Sequence, residues 1–421
     1  MSYNLRKLWV IIPVGGHATR LLPLTAETSK ASIRMVNRPL IEISLLCLAR
    51  QGIRNFVLGV KGYTNYRNLH DLLESGVGFS ARYGFSPRIH IKYQPNIEDC
   101  GSGDSTRINL EYYNIKESLF AVQGDNIFDE DIGDFLGFHK EMGGIMTIGL
   151  RQVKDITGYG VVKIDKNMRI TGFVEKPQTK EAPSNLVNTG LYVFTPEIRK
   201  ILSGKKIQKL IARKNRLDIG YDVIPHLIEE GYPVYGHIIS GNWYDVGTPK
   251  RYLETMYDIL HGKIRYLQDF EGRISEESTI WIQGESPASI QKREEILKKV
   301  RDGRVELKGT VLIGRHCQIG NGTQIVDSCI DNYTIIGRNV TIKNSSIMDR
   351  VSIGDGTTIE HSIIGRHVVV ESTSSKQTRI ENVTTIADDV IISSGCKLVA
   401  SNIYPHNHVP EGNFEGITIR T

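Results

Sequence analysis

The chain has 421 residues, which is long for a single hydrophobic core and favours two domains. It is 40% hydrophobic and 24% charged, the composition of an ordinary globular protein. The formal net charge is +5, and because the basic residues are spread along the chain, the sequence gives little support to nucleic-acid binding.

Cysteine usage and apolar runs indicate the compartment. The five cysteines are scattered without metal-ligand spacing, so we expect reduced thiols. No apolar run is long enough to span a bilayer, and the N-terminal run is too short for the apolar core of a signal peptide followed by a cleavage site. These features predict a cytoplasmic protein with no membrane partner.

The first motif combines a buried strand, a glycine loop and two cations. Leu8 to Val14 is an apolar run rich in β-branched residues, as expected of a buried parallel strand. It leads into Gly15-Gly16-His17-Ala18-Thr19-Arg20, where backbone N–H groups can approach a phosphate closely, and Lys30 follows ten residues later. The sequence therefore predicts an anion site, for a nucleotide.

Two common phosphate loops do not fit this motif. The P-loop ends in Gly-Lys-Ser/Thr, where this chain has Thr19-Arg20, and the dinucleotide loop needs a third Gly near the place of Arg20. The stretch resembles instead the signature of the sugar-1-phosphate nucleotidylyltransferases, Gly-Gly-x-Gly-Thr-Arg-Leu-x-Pro-Leu-Thr followed by a Lys. It departs from that signature at Ala18, where Gly is usual, and at Ala31, where Pro commonly follows the Lys.

The rest of the N-terminal half alternates strands and helices. Leu40 to Gln51 has helical spacing and ends at Gly52, Asn55 to Val60 reads as a strand, Asn65 to Ser75 as a helix and Ile89 to Tyr93 as a third strand. This alternation predicts an α/β fold with a Rossmann-like, mostly parallel sheet. Ligands bind at the carboxyl ends of strands in such sheets, so site residues should follow strands directly.

The family resemblance assigns roles to the residues after these strands. At the nucleotide it places Gly15, Gly16 and Thr19, with Gln94 and the turn Gly101-Ser102 at the base. Taken alone, that turn is as readily a surface turn. The same resemblance implies that Arg20 holds the leaving pyrophosphate and Lys30 the triphosphate or α-phosphoryl region.

Two aspartates are candidate Mg²⁺ ligands. Ser118 to Gln123 reads as a buried strand that ends in Gly124-Asp125-Asn126, and a carboxylate at such a strand end can share Mg²⁺ with phosphate oxygens. An isolated Asp-Asn is more often a turn, but the resemblance favours a metal site. It also implies that Asp245, in Trp243-Tyr244-Asp245, is the second ligand.

Three later segments resemble those that surround the sugar phosphate in this family. Gly160 would allow close backbone approach, Glu175 and Asn188 would bind sugar hydroxyls, and Lys176 would pair with the phosphate. Without the resemblance, Glu175-Lys176 would be read as a solvated ion pair.

Beyond Gly262 the pattern changes. A connector with a charged helical segment, Ser289 to Arg301, precedes a repeat in which aliphatic residues recur in steps of six, six and five, a period of 17 residues. This spacing predicts a parallel β-helix, and the family resemblance implies a left-handed one. We expect a nucleotidyltransferase domain at 1–262, a connector at 263–307 and the β-helix at 308–421.

The β-helix has two possible uses. It can be a rigid spine for a homo-oligomer, or it can carry acyl transfer with His316, His361 or His367 as the base. Corner histidines are more often solvated polar residues, so we expect a structural role.

The resemblance implies an enzyme that converts an NTP and a sugar 1-phosphate to NDP-sugar and pyrophosphate, with Mg²⁺ as cofactor. The opening motif followed by a β-helix favours mannose 1-phosphate and GTP, with glucose 1-phosphate and dTTP or UTP as alternatives. A bifunctional enzyme with acyltransferase activity and a non-catalytic regulatory subunit of the same architecture also stay open. Retention of Arg20, Lys30, Asp125, Lys176 and Asp245 favours catalysis.

Overall fold

The computed structural model describes residues 4–16, 18–178, 181–268 and 270–420. The chain divides into two compact units. The first is made of Met1–Gly16 and Ser44–Asp245, and the second of His17–Ile43 and Val246–Thr421. Among the described helices, none combines the length and apolar character needed to cross a bilayer. The five cysteines are free thiols, as expected from the sequence.

The first unit is built on a nine-stranded sheet, with a two-stranded ribbon beside it. The strands of the unit are β1 (Trp9–Val14), β2 (Asn55–Val60), β3 (His90–Tyr93), β4 (Leu119–Val122), β5 (Asn126–Phe128), β6 (Met146–Gln152), β7 (Gly160–Ile164), β8 (Ile170–Glu175), β9 (Leu186–Phe194), β10 (Val234–Ile238) and β11 (Trp243–Asp245). The sheet order is β8-β7-β9-β4-β1-β2-β3, with β6 paired to β9 and β10, while β5 and β11 form the ribbon.

The α/β prediction is confirmed, and the sheet is mixed. Strands β1 to β4 pair in parallel in the order β4-β1-β2-β3, and Val10, Ile11 and Ile12 are fully buried, as expected of a parallel strand covered on both faces. Strand β9 runs antiparallel to β4, β6 and β7, so the direction reverses beside β4.

Helices cover this sheet and continue into the second unit. Along the chain they are α1 (Leu40–Ala49), α2 (Tyr63–Leu73), α3 (Val77–Tyr83), α4 (Ser102–Tyr112), α5 (Ile132–Met142), α6 (Ile198–Leu202), α7 (Lys205–Lys214), α8 (Ile224–Glu229), α9 (Pro249–Leu260) and α10 (Pro287–Arg301). A π-helical turn, Ile219–Val223, precedes α8. The chain passes from the second unit to the first within α1.

The second unit contains a hairpin and the predicted curled sheet of parallel strands. The hairpin pairs Arg34–Met35 with Arg38–Pro39. The other strands are Ile280–Ile282, Val305–Ile313, Gln318–Ile319, Thr323–Ile330, Ile335–Ile336, Thr341–Lys343, Ser346–Ile347, Ser352–Ile353, Thr358–Glu360, Ile363–Ile364, Val369–Val370, Arg379–Glu381, Thr385–Ile386, Ile391–Ile392, Lys397–Val399, Asn402–Ile403, His408–Val409, Asn413–Glu415 and Thr418–Ile419.

The 17-residue period sets the register of these strands. Ile319 pairs with Ile336, Ile336 with Ile353 and Ile353 with Val370, each 17 residues apart, and all four side chains are buried. Each coil therefore covers the apolar edge of the coil before it, as a β-helix requires.

Candidate active site

The glycine loop begins where β1 ends. A Cβ on Gly15 would lie 2.7 Å from the Lys61 Cβ, so the residue after β1 must be small for the β1 and β2 ends to pack. A Cβ on Gly16 would meet no described atom within 4 Å. The backbone at Gly16 is therefore open to a ligand, whereas Gly15 serves packing. His17 lies outside the described residues.

The cations of the signature lie on two 3₁₀ turns of the second unit. Thr19 and Arg20 are in the exposed turn Thr19–Leu21, which begins after Ala18 at φ 43° and ψ 39°. This left-handed conformation explains why the family signature has Gly at this place, because a Cβ is disfavoured there. Lys30 starts the turn Lys30–Ser32, which the Ser29 side chain caps by accepting the Ala31 N–H.

The predicted base-binding residues form an internal hydrogen-bond network. Gln94 is 5% exposed. Its Oε1 accepts from Ser105 Oγ (2.6 Å) and Asn109 Nδ2 (3.3 Å), and its Nε2 donates to Asn96 O (3.0 Å) and to Asp99 Oδ2 (3.3 Å). Both ends of the Gln94 amide are thus engaged by the protein.

The turn after Gln94 is held by two aspartates. The Gly101 N–H donates to Asp99 Oδ1 (2.9 Å), and Ser102 Oγ donates to Asp218 Oδ2 (2.8 Å). Burial raises the pKa of Asp99, against the effect of the hydrogen bonds from Gly101 and Gln94. Gly101 has φ 131°, and a Cβ there would lie 3.0 Å from Leu217 O, so this turn requires glycine.

The two candidate metal ligands meet in the β5–β11 ribbon. Asp245 pairs in register with Asn126, the residue next to Asp125. Asn126 Nδ2 also donates to Thr189 O (2.6 Å), which fixes the start of β5. Two half-buried carboxylates on adjacent strands fit a divalent cation that keeps phosphate or water oxygens as its other ligands. Within the described ranges, no group of three or more metal-ligating side chains occurs.

Glu175 lies between two glycines. It pairs in register with Gly160 across β7 and β8. A Cβ on Gly160 would lie 2.6 Å from Glu175 Oε2, and a Cβ on Gly220 would lie equally close to the same oxygen. Burial raises the pKa of Glu175, an effect that Lys176 partly offsets and Asp218 reinforces. The carboxylate is therefore confined to one position.

Lys176 follows Glu175 in the left-handed region, with φ 49°. Its Nζ lies 3.6 Å from Glu175 Oε1 and 5.3 Å from the centre of the Tyr221 ring. Arg216 lies over the same ring at 4.7 Å. Tyr221 therefore stands beside two cations that can attract an anionic group.

Asn188 is oriented by Tyr192, a residue that the sequence analysis missed. Asn188 Nδ2 donates to the Tyr192 hydroxyl (2.9 Å), and its Oδ1 accepts the Gly190 N–H (2.9 Å). Burial raises the pKa of Tyr192, and the neighbouring carboxylates of Glu175, Asp218 and Asp125 raise it further.

The π-helical turn was not predicted, and two aspartates support it. Asp218 Oδ1 accepts the N–H groups of Gly220 (2.9 Å) and Tyr221 (3.1 Å). Asp222 accepts from Lys214 Nζ (2.9 Å) and Arg216 Nε (2.8 Å). Burial would raise the pKa of Asp222, yet the hydrogen bonds from Arg216, the Asp218 N–H and Lys214 lower it to about 2. The repeated Asp and Gly of Asp218-Ile219-Gly220-Tyr221-Asp222 are the sequence signal for this turn.

The corner histidines of the β-helix do not share one environment. His316 stacks on Tyr333 with ring centres 4.8 Å apart. His367 Nδ1 lies 3.3 Å from Asp389 Oδ1, and the side chains of His361 and His367 are exposed.

Comparisons with known proteins give the family. A nucleotidyl transferase family model matches residues 9–262, and the model of the EIF2B subunit epsilon LbH domain matches residues 298–398. The first match covers more than half of the chain, so the chain belongs to the nucleotidyl transferase family. The resemblance drawn from the sequence is confirmed.

Similar proteins span both halves of the chain. A mannose-1-phosphate guanylyltransferase catalytic subunit beta from Danio rerio is 28% identical over 406 residues, 95% of this chain and 97% of that protein. A UTP–glucose-1-phosphate uridylyltransferase from Synechocystis sp. is 27% identical over 376 residues, 85% of this chain and 88% of that protein. A solved structure of a putative glucose-1-phosphate thymidylyltransferase from Bacillus anthracis has a TM-score of 0.50 at 23% identity and covers 63% of this chain and 96% of its own, a likeness in fold.

Proposed function

We propose that the protein is an enzyme that transfers a nucleotidyl group from an NTP to a sugar 1-phosphate, giving NDP-sugar and pyrophosphate. The observation that carries this proposal is the order of motifs within the family match, ending in a ribbon that puts Asp125 and Asp245 on neighbouring strands. Relatives named as sugar-1-phosphate guanylyl- and uridylyltransferases support it.

The reaction is an in-line attack of a sugar phosphate oxygen on the α-phosphorus of the nucleotide. Both substrates are polyanions, so catalysis consists largely of positioning and charge neutralisation. We assign the leaving pyrophosphate to Arg20, the α-phosphoryl region to Lys30 and the sugar phosphate to Lys176. No covalent nucleophile is required.

The remaining assignments follow the same division. Gly15, Gly16 and Thr19 would hold nucleotide phosphates through backbone and hydroxyl groups, and Gly101 and Ser102 would lie at the base. Gln94 would act there through the turn it supports, since its amide is engaged internally. Gly160, Glu175 and Asn188 would bind the sugar. These last assignments are supported by the confined carboxylate of Glu175 and the oriented amide of Asn188.

We propose Mg²⁺ as the divalent cation, held by Asp125 and Asp245. Mg²⁺ takes few protein carboxylates and several phosphate or water oxygens, which suits a pair of aspartates beside two phosphate-bearing substrates. When bound, it would neutralise charge on the reacting phosphates.

Mannose 1-phosphate and GTP are the substrates we favour. Relatives named as mannose-1-phosphate guanyltransferases align with 95% of this chain, including the β-helix, whereas the named uridylyltransferase aligns with 85%.

The organisation of the protein completes the proposal. We place the domain boundaries at 262 and 307 and the protein in the cytoplasm, where free thiols persist. A homo-oligomer would use the outer face of the six-stranded sheet, where Ile335, Val369 and Ile391 are exposed in neighbouring coils.

The test is pyrophosphate release over a grid of nucleoside triphosphates against sugar 1-phosphates with Mg²⁺. We expect release at one or a few combinations, with loss in Asp125→Asn. Asp71→Asn, which changes an exposed carboxylate on α2, is the matched control and should keep activity. A blank grid from folded protein would refute the proposal and favour the regulatory-subunit alternative.

A further inference from the structure

The hairpin of the second unit has a strained turn. Val36 and Asn37 between its strands have φ of 46° and 65°. Positive φ is a marked outlier for a β-branched residue, and Val36 is also buried, at 1% exposure. Such a conformation persists only where surrounding contacts determine it, so the hairpin must be fixed by its neighbours.

The β-helix fixes the hairpin through Arg34. Arg34 Nη2 donates to Asp331 Oδ1 (3.0 Å), and Arg34 Nε donates to Asp331 Oδ2. Asp349 Oδ1, one coil further, lies 3.6 Å from the same Nε. The Asp331 side chain is only 3% exposed. A bidentate Arg–carboxylate pair fixes direction as well as distance, so Arg34 is held rigidly.

The backbone of Arg34 is held as well. The Tyr252 hydroxyl of α9 donates to Arg34 O and accepts from Ser346 Oγ (2.9 Å). Tyr252 is fully buried, and this burial raises the pKa of its phenol. A neutral hydroxyl therefore bridges α9, the β-helix and the hairpin.

The turn residue Asn37 makes two further bonds. Its Nδ2 donates to Gln283 Oε1 (3.2 Å), and its Oδ1 accepts from Cys329 Sγ (3.1 Å). Arg34 Nη2 closes the hairpin by donating to Asn37 O (2.6 Å). Side chains distant in sequence thus hold both the strands and the turn.

Lys30 is connected to this hairpin by a short, hydrogen-bonded piece of chain. The Ile33 N–H donates to Lys30 O (3.2 Å), and Ile33 O accepts the Leu40 N–H (2.9 Å) on the far side of the hairpin. Because Lys30 lies four residues before Arg34, the position of its backbone depends on where the hairpin is held.

We propose that Asp331 and Asp349 are positioning residues that act through Arg34 to place Lys30 for the nucleotide. The β-helix is then a part of the nucleotide-binding machinery as well as a structural domain. This inference rests on the proposed function, which assigns Lys30 to the nucleotide phosphates.

The test uses Asp331→Asn in the full-length protein. Asn keeps the shape and can still accept the Asn332 N–H (2.7 Å), but it removes the charge that pairs with Arg34. Displacing a catalytic group by about 1 Å can cost a hundredfold in rate, so we expect the KM for the NTP to rise about tenfold. The KM for the sugar 1-phosphate should stay within about twofold, because Lys176 is untouched.

Hydrogen exchange gives a readout that does not need activity. The amides of Ser32, Ile33 and Leu40 are hydrogen-bonded around the hairpin and should exchange faster in the variant. Arg34→Lys, which keeps the charge but not the bidentate geometry, should give the same pattern if Asp331→Asn does not fold.

The matched control is Asp355→Asn. Asp355 has the same arrangement, with Oδ1 accepting the Arg338 N–H (2.7 Å) and Oδ2 accepting from Arg338 Nε (3.2 Å), but its pair lies on an exposed corner. It should change neither KM nor exchange in residues 30–40.

The outcomes separate this inference from the proposed function. Faster exchange in residues 30–40 with a selective rise in the KM for the NTP supports it. Unchanged exchange, or an equal rise in both KM values, overturns it. If the wild-type protein releases no pyrophosphate, the proposed function fails, and exchange alone decides whether the carboxylates position the segment.

Discussion

Replacing Gly220 by Ala should impair use of the sugar 1-phosphate through Glu175. The new Cβ would lie 2.6 Å from Glu175 Oε2, and ordinary contact begins at 3.4 Å, so the carboxylate oxygen must move by about 0.8 Å, the difference between the two distances. The opposite side is closed, because a Cβ position 2.6 Å from the same oxygen belongs to Gly160 on β7. The carboxylate therefore cannot keep its place.

A displacement of this size at a sugar-binding group should lower kcat/KM for the sugar 1-phosphate by about 10- to 100-fold, or ~1.4–2.7 kcal/mol. Gly220 is not in the left-handed region, so the backbone accepts Ala. We expect overpacking to lower the free energy of unfolding by about 1–3 kcal/mol.

The assay is pyrophosphate release at saturating NTP with the sugar 1-phosphate varied, together with thermal unfolding. Gly137→Ala is the matched control, because a Cβ on Gly137 in α5 would meet no described atom within 4 Å. It should keep activity and gain stability of about 1 kcal/mol, the helix propensity difference. Unchanged kcat/KM in Gly220→Ala would refute the assignment of Glu175 to the sugar.

Three further predictions concern charge, backbone strain and metal. The pKa of Asp222 is lowered from 3.8 to about 2, so its ion pairs stabilise the fold fully above pH 3.8 and lose that contribution as the pH falls toward 2. Asp222→Asn should therefore cost about 1–2 kcal/mol in urea unfolding at pH 7, discounted for the exposed Arg216 and Lys214, and the difference should shrink near pH 3; a constant difference would contradict this. Ala18→Gly should raise Tm by relieving the left-handed residue, a gain of about 0.5 kcal/mol after the entropy of Gly is subtracted, and a lower Tm would contradict it. Removal of divalent cations should abolish pyrophosphate release, Mg²⁺ should restore it, and Asp125→Asn should need more Mg²⁺; activity that survives chelation would exclude the metal site.

Local patterns of the sequence predicted much of the fold. The β-helix could be foreseen because its 17-residue period is written in buried aliphatic side chains, each paired with the next coil. The strands β1, β2 and β3 could be foreseen from apolar runs. The antiparallel direction of β9 could not, because periodicity shows that a segment is a strand but not which way its neighbour runs.

Long-range contacts were beyond sequence reasoning. Arg34 and Asp331 are 297 residues apart, and neither belongs to a motif. The cradle of Glu175 needs Gly220 from a turn whose conformation depends on the ion pairs of Asp222. Gln94 was assigned by its motif to the base, whereas the use of both ends of its amide appears only once Ser105 and Asn96 are placed.

The coils of the β-helix also tolerate growth at one corner. After three steps of 17 residues, the step from Val370 to Ile392 is 22 residues, because exposed residues 373–377 bulge from the corner. The next pair, Ile392 with Val409, returns to 17. Since each coil bonds only to its neighbours, added residues are absorbed within one coil and the register beyond them is restored. New surface can therefore be acquired at this corner while Asp331 and Asp349, in earlier coils, keep their hold on Arg34.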